Sequence, residues 1–130
     1  MATVTTKLTV SSSDLTSQIL SLSLSKAISA SHTTGLARTK VGQTAVHADA
    51  ALIYTADDYA APCYIYIKNT DATTTDYLYV YDDTSTGDPV ELKLSGGEWA
   101  WMPTNADKTL RVYAATTGTV VEYGIFGTDQ

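Results

Sequence analysis

Cysteine, phenylalanine and proline are scarce in this sequence, and the scarcity of cysteine limits how the chain can be cross-linked. One cysteine, one phenylalanine and three prolines occur among 130 residues. A lone Cys63 excludes a disulfide within the chain. No stretch approaches the ~20 consecutive apolar residues of a membrane-spanning helix, and residues 1–10 lack the apolar segment of a secretion signal. We therefore expect a protein that is made in the cytoplasm and folds without cross-links.

Positive charge is also scarce. Eight Lys or Arg stand against 14 Asp or Glu, which gives a net charge of −6. Nucleic-acid binding requires clustered Lys and Arg to neutralise phosphates, and an acidic surface repels anionic lipid. We expect neither a nucleic acid nor a membrane as the partner.

Catalytic and metal-binding patterns are missing as well. The loop from Asp82 to Asp88 brings oxygen ligands together but lacks the spacing and the closing Glu of an EF-hand. His32 and His47 lie far apart in the sequence, without the further ligands of a zinc site, and Cys63 fits a small buried apolar residue. No P-loop, GxGxxG or GxSxG pattern occurs. We predict no catalytic residue, no metal and no cofactor, and a protein that is not an enzyme.

Threonine and serine are abundant, with 22 Thr and 11 Ser. β-Branched residues pack well on a pleated sheet, and short β-branched or aromatic runs recur about every ten residues between turn residues. The strand-like runs are residues 7–10, 20–25, 50–54, 64–67, 77–81, 90–94, 99–101, 110–113 and 120–126. Short strands separated by turn residues at this spacing are typical of a β-sandwich or β-barrel.

The sequence therefore predicts an all-β fold: an antiparallel β-sandwich of about seven or eight strands, jelly-roll-like or Ig-like. We assign residues 1–17 to an N-terminal arm or edge segment and residues 18–130 to a single sandwich domain. Residues 31–42 have turn residues and little periodicity, which predicts a loop.

Residues 14–25 allow two interpretations. Strict alternation of Leu and Ser from residue 20 to 25 favours a half-buried strand. Alternatively, Asp14 caps a short helix that places Leu15, Ile19 and Leu22 on one face. Ser and Thr are indifferent helix formers, so we favour the strand.

Strand parity predicts which side chains share a face. Ile65 and Ile67 lie on one face of their run, and Tyr64 and Tyr66 lie on the other. The runs at 77–81 and 110–113 repeat the arrangement, so aliphatic side chains should form the core. If the strands are neighbours, the tyrosines form one outward face.

We predict that this outward face contacts another protein subunit, because tyrosine combines a large ring with a hydroxyl that can stay hydrated. In the alternative, the tyrosines only cover their own sheet beneath the N-terminal segment. Trp99 and Trp101 share a face, which suits either a stacking platform for sugar rings or ordinary packing. The predicted interface residues are Tyr64, Tyr66, Tyr77, Tyr79, Tyr81, Trp99, Trp101 and Tyr113.

Several runs resemble small structural proteins of tailed bacteriophages, of the marine-phage type. They are YIYIKNT at residues 64–70 followed by YLYV at 77–80, LKLSGGE at 92–98, LRVYA at 110–114 and VVEY at 120–123. The Ser/Thr-rich N-terminus and GLART at 35–39 are similar too. The resemblance implies a non-enzymatic β-sandwich protein of the virion. Head decoration or cement proteins fit best. Such proteins are often trimers and brace the capsid shell.

That resemblance implies the major capsid protein or other virion subunits as partners, homo-oligomers, and localisation in the virion. On this hypothesis residues 1–13 are an arm that orders on a neighbour. Tail-tube, neck or fibre components are an alternative position in the particle. A carbohydrate-binding module that uses Trp99 and Trp101 is an alternative from a different class.

Overall fold

Eleven antiparallel strands make up the described chain. A computed structural model describes residues 2–14, 20–42, 51–55, 58–82, 90–104, 109–115 and 118–129, and none of these is helical. The strands are β1 (Ala2–Ser12), β2 (Leu20–Ala30), β3 (His32–Thr33), β4 (Ala37–Lys40), β5 (Ala51–Tyr54), β6 (Tyr59–Asn69), β7 (Leu78–Asp82), β8 (Val90–Leu94), β9 (Trp99–Thr104), β10 (Leu110–Ala114) and β11 (Val120–Asp129). The all-β prediction is confirmed.

The chain divides into two units, residues 1–31 and residues 32–130. The first unit, which we call the arm, is a two-stranded sheet of β1 and β2. The division falls after residue 31 rather than after residue 17, because β2 pairs with β1 along its whole length, from Ala2 opposite Ala30 to Ser12 opposite Leu20. The strand interpretation of residues 20–25 is confirmed. Leu15 and Ile19 of the helical alternative lie outside the described residues.

The second unit is a β-sandwich with the strand order of a jelly roll. One sheet has the order β5-β10-β7-β8, and the other has the order β4-β11-β6-β9, with β3 pairing beside β4 on β11. Along the chain, β4 pairs with β11, β5 with β10, β6 with β9 and β7 with β8. Residues from β4 to β11 thus form one long antiparallel hairpin that is folded over into two layers.

The core lies between these sheets. It is formed by the aliphatic side chains that strand parity assigned to one face of each strand. Ile65 and Ile67 of β6 face Leu78 and Val80 of β7 across it. The further buried members are Val41, Ile53, Tyr59, Cys63, Leu94, Leu110, Val112, Ala114, Val121 and Ile125. The predicted aliphatic interior is confirmed, because residues two apart on a strand share a face.

Two local predictions were wrong for related reasons. Residues 31–42 contain β3 and β4 rather than only a loop, and both strands pair with the outer edge of β11. Such short edge strands bury few side chains, so no hydrophobic period marks them in the sequence. The run predicted at residues 99–101 extends to Thr104, so that Pro103 lies inside β9. β9 is an edge strand of its sheet, where a missing backbone N–H is tolerated.

A buried asparagine fixes the corner where the chain crosses between the sheets. The Asn69 side chain is fully buried, and its Nδ2 donates to the carbonyls of Asp76 (2.6 Å) and Leu94 (3.1 Å). Its Oδ1 accepts from the Asp71 amide at 3.1 Å. The turn between β8 and β9 packs closely against the loop between β6 and β7. A Cβ at Gly96 in this turn would lie 2.2 Å from the Thr73 carbonyl oxygen.

We expect Asn69→Ala to lower the free energy of unfolding by about 2–4 kcal/mol, because it removes all three hydrogen bonds described for a fully buried side chain. Thr75→Ala, on the exposed side of the same loop, is the control and should change stability by less than about 0.5 kcal/mol. Urea denaturation measures both. Equal stabilities for the two variants would show that Asn69 does not hold the corner.

Candidate interaction surfaces

The arm has one apolar face and one polar face. Leu8 lies opposite Leu24, and Val10 lies opposite Leu22. These four side chains share a face because the strand period is two. Its other face consists of Thr, Ser, Ala and one lysine. The polar-face pairs are Thr3 with Ser29, Thr5 with Ala27, Lys7 with Ser25, Thr9 with Ser23 and Ser11 with Ser21.

The outer half of the apolar face is open to solvent. We call Leu8, Val10, Leu22 and Leu24 the arm patch; each is between 41% and 56% exposed. Nearer the base of the arm, Ile28 is buried. Four half-exposed aliphatic side chains present roughly 300 Å² of apolar surface, the size of the largest patch on an ordinary monomer and often a functional one.

The outward face of the sheet β4-β11-β6-β9 is rich in aromatic residues, and we call it the tryptophan face. Trp101 lies opposite Tyr66; its ring stacks on Tyr64 (5.9 Å between centroids) and packs against Phe126 (5.4 Å). Trp99, two residues away on the same face, is 58% exposed. Packing explains Trp101, whereas the ring of Trp99 is available for contact.

A three-residue polar network crosses this face. Arg38 Nε donates to Glu122 Oε2 at 2.8 Å, and its Nη2 lies 2.6 Å from the same oxygen. The Tyr66 hydroxyl donates to Glu122 Oε1 at 2.9 Å. These bonds from Arg38 and then Tyr66 hold the pKa of Glu122 below its usual 4.5. Burial, followed by the bond to Glu122, raises the pKa of Tyr66.

The opposite outward face, of the sheet β5-β10-β7-β8, carries a row of tyrosines that we call the tyrosine face. Tyr79 stacks on Tyr113 with ring centroids 4.9 Å apart, and Tyr81 packs edge-on to Tyr113 at 5.7 Å. Tyr77 lies 6.4 Å from Tyr79. The Lys93 ammonium sits 3.9 Å from the centroid of the Tyr77 ring, a cation–π contact that makes this end of the face basic.

The structure separates the residues that parity grouped as one tyrosine face. Tyr64, Tyr66, Trp99 and Trp101 belong to the tryptophan face, while Tyr77, Tyr79, Tyr81 and Tyr113 belong to the tyrosine face. The single-face expectation was wrong because β6 lies in a different sheet from β7 and β10. Tyr64 and Tyr81 are also buried, with Tyr81 fully so, so these two rings cannot offer the exposed surface that was predicted for them.

Four residues of these surfaces were not identified from the sequence. Leu22 and Leu24 were assigned to the sandwich, although their alternation matches that of Leu8 and Val10 in register and signals one shared apolar face. Arg38 and Glu122 meet only because β4 pairs with β11. Nothing local in the sequence signals that pairing.

Of the remaining candidate groups, Cys63 and His32 both border Gly127 of β11. Cys63 is buried, and burial raises its thiol pKa to about 11, which disfavours the thiolate that acts as nucleophile. His32 packs against the Tyr59 ring at 4.6 Å. His47 and residues 83–88 of the candidate calcium loop lie outside the described residues.

In the part of the chain that the structure describes, no three His, Cys, Asp or Glu side chains come close enough to hold a metal ion. The same ranges include no helix that is long and apolar enough to cross a membrane.

Comparisons with known proteins include a distant structural likeness. No protein-family model matches the chain, and no curated protein matches it. A solved structure of Bacillus endospore appendages, described as a novel family of disulfide-linked pili, is similar over 98% of this chain and 89% of that chain. The two are 16% identical, with a TM-score of 0.45.

The network on the tryptophan face predicts a specific pH response. Because the folded-state pKa of Glu122 is depressed, its stabilising contribution is complete above pH 4.5 and is lost as the pH falls through the lower folded-state value. Arg38→Gln and Tyr66→Phe should each raise the pKa of Glu122 toward 4.5, as read by NMR titration of its carboxyl carbon. Lys40→Gln, on the same strand, is the control. An unchanged midpoint in Arg38→Gln would contradict the network.

Proposed function

We propose that this protein is a non-enzymatic structural subunit that joins an assembly through its arm. The observation that carries the proposal is the arm patch: four large aliphatic side chains exposed together on one face of a two-stranded sheet. An isolated two-stranded hairpin is marginally stable in water. A long hairpin with an apolar face is therefore suited to pack against another layer of protein.

The outward faces of the sandwich support the same role. Tyr, Trp and Arg are enriched in the energetically dominant parts of protein interfaces, and the tryptophan face combines exposed Trp99 with Arg38. The tyrosine face adds Tyr79 and Lys93 on the other side. A subunit with contact residues on an arm and on both faces suits an assembly in which each copy touches several neighbours.

The setting we propose is a virion, with the protein acting as a capsid decoration or cement protein that stabilises the head shell. Its resemblance to tailed-phage structural proteins and its acidic sandwich support that setting. The partners would be the major capsid protein or other virion subunits, and copies of this chain as a homo-oligomer. Tail-tube, neck or fibre components are the second candidate. A tube subunit should form rings or filaments when purified, as seen by negative-stain microscopy.

A carbohydrate-binding module is less well supported by the geometry. Trp101, which a sugar platform would need, already packs between Tyr64 and Phe126. Trp99 alone is open, and one ring gives a small stacking surface. Glycan-array binding that Trp99→Ala abolishes would favour this class over an assembly subunit.

We expect the double substitution Leu8→Ser and Leu24→Ser to weaken binding to shells of the encoding virus by at least about tenfold, since each leucine loses roughly 1 kcal/mol of burial. Co-sedimentation with shells that lack the protein measures the binding. The matched control is Thr9→Ser with Ser23→Ala on the polar face of the arm, which should bind as the unmodified chain does. Undiminished binding by the leucine variant would show that the arm patch does not contribute to shell binding.

A further inference from the structure

The two strands of the arm pair only with each other in the described chain, so each strand has an open edge. Both are 11 residues long, and their register is continuous. Neither contains proline or glycine, and β1 has one charged residue, Lys7. Proteins usually protect long edges with prolines, bulges, charges or a covering segment, because unpaired N–H and C=O groups can bind another strand. The arm has little of this protection.

One hydrogen bond identifies the backbone groups that point to the open edge of β1. The Thr6 hydroxyl donates to the Lys26 carbonyl at 3.1 Å, so this carbonyl points toward β1. Thr6 and Lys26 lie directly opposite each other and are therefore a pair that exchanges backbone hydrogen bonds. Such pairs alternate with pairs whose backbone groups point away from the partner strand. The N–H and C=O groups of the odd-numbered residues from Thr3 to Ser11 thus point outward.

We propose that the open edge of β1 pairs, antiparallel, with the same edge in a second copy of this chain. Strand length identifies this partner. In the described sandwich the long strands β6 and β11 are paired on both sides. Its edge strands are shorter, and the longest of them, β9, has six residues and contains Pro103. Among the described strands, only those of another arm offer an uninterrupted edge of 11 residues.

The pairing would supply what a two-stranded arm lacks. A hairpin of two strands is marginally stable in water, whereas three or more strands with an apolar face can be stable independently. Two arms joined along β1 make a four-stranded sheet with the order β2-β1-β1-β2. The two arm patches then lie on one side of that sheet and present roughly 600 Å² of apolar surface, the upper end of what a monomer exposes. That surface stays available for the shell contact of the proposed function.

Parity and charge together determine the register of the two β1 strands. Even-numbered residues must lie opposite even-numbered ones for the apolar sides to match. A register that sets Lys7 opposite Lys7 of the second copy is destabilised by the like charges. Of the two nearest registers that avoid this contact, the one centred on Thr6 places Val4 opposite Leu8. The one centred on Leu8 places Val4 opposite Ser12. We therefore infer the register centred on Thr6, in which residues 2–10 of both copies pair.

The open edge of β1 is favoured over that of β2 by residue type. Six of the 11 residues of β1 are Thr or Val, whereas Ile28 is the one β-branched residue of β2. β-Branched residues suit an extended, pleated strand. A contact along a single strand edge is smaller than the ~800 Å² per partner of a standard interface, so association in solution should need high protein concentration. The inference rests on the proposed function, since it names a second copy as a partner of the same arm.

A proline on either edge of the arm tests the pairing in the full chain. Thr5→Pro removes an N–H that points away from β2, so it blocks the open edge of β1 and spares the ladder between β1 and β2. Ser25→Pro is the matched control on the open edge of β2, since Ser25 lies opposite Lys7, an outward-pointing position. In sedimentation velocity over a concentration series, we expect the unmodified chain and Ser25→Pro to associate alike. Thr5→Pro should associate at least about tenfold more weakly.

Disulfide cross-linking tests the register. Two Thr6→Cys residues would lie directly opposite each other with Cα atoms about 4.5 Å apart, within the range of a disulfide. Leu8→Cys, on the same strand and face, is the control, because its two copies would be separated by four residues, roughly 13 Å along the strands. Under mild oxidation, Thr6→Cys should form covalent dimers on a non-reducing gel, and Leu8→Cys should not. Cys63 is buried, so the unmodified chain should stay uncross-linked.

Other outcomes overturn the inference in distinguishable ways. Association that Ser25→Pro abolishes and Thr5→Pro keeps means that β2 is the paired edge, and association kept in both means that no arm edge is involved. If both prolines abolish association, selective cross-linking of Thr6→Cys upholds the pairing and equal cross-linking of Leu8→Cys contradicts it. An unmodified chain that stays monomeric, but binds shells only when Leu8 and Leu24 are present, excludes the pairing and leaves the proposed function standing. A monomer whose shell binding ignores both leucines overturns the proposed function as well.

Discussion

Each apolar sheet face in this chain needs a second layer of protein to keep water away from it. The sandwich meets that need internally, since the inward faces of its two sheets bury Ile65, Ile67, Leu78 and Val80 against one another. The arm has two strands and therefore one layer. Its outer half leaves aliphatic side chains about half exposed. The proposed assembly role follows from this difference between the two units.

The two sheets of the sandwich present different outward faces, and a hydrogen-bonded corner joins them. Asn69 ties the end of β6 to the loop before β7 and to the end of β8 through three hydrogen bonds. Gly96 lets the next turn approach Thr73 closely. With these crossings fixed, the aromatic residues of β6 and β9 face one way and the tyrosines of β7 and β10 face the other. The neighbours of each ring then follow from the strand order.

Much of the local structure was predictable from the sequence, and the sheet membership was not. Val90–Leu94 has the predicted bounds, and strand parity correctly assigned Ile65 and Ile67 to the core, because alternation is a property of single strands. Parity carries no information about which strands share a sheet. The tyrosines were therefore grouped on one face, β2 was given to the sandwich, and the Arg38–Glu122 pair on the tryptophan face was missed. The tyrosine grouping and the missed ion pair concern pairing between distant segments, which no short window of sequence records. β1 and β2, in contrast, are consecutive strands, and their matching alternation signals the pairing.

Hydrogen exchange measured on the full chain at several protein concentrations tests the central claim most directly, namely that the arm needs a layer from outside its own two strands. The account predicts that backbone amides of β1 and β2 exchange rapidly in dilute solution and become protected as the concentration rises, while amides of β6 and β11 stay protected throughout. Arm amides that are as slow as those of the sandwich core at every concentration would contradict the account.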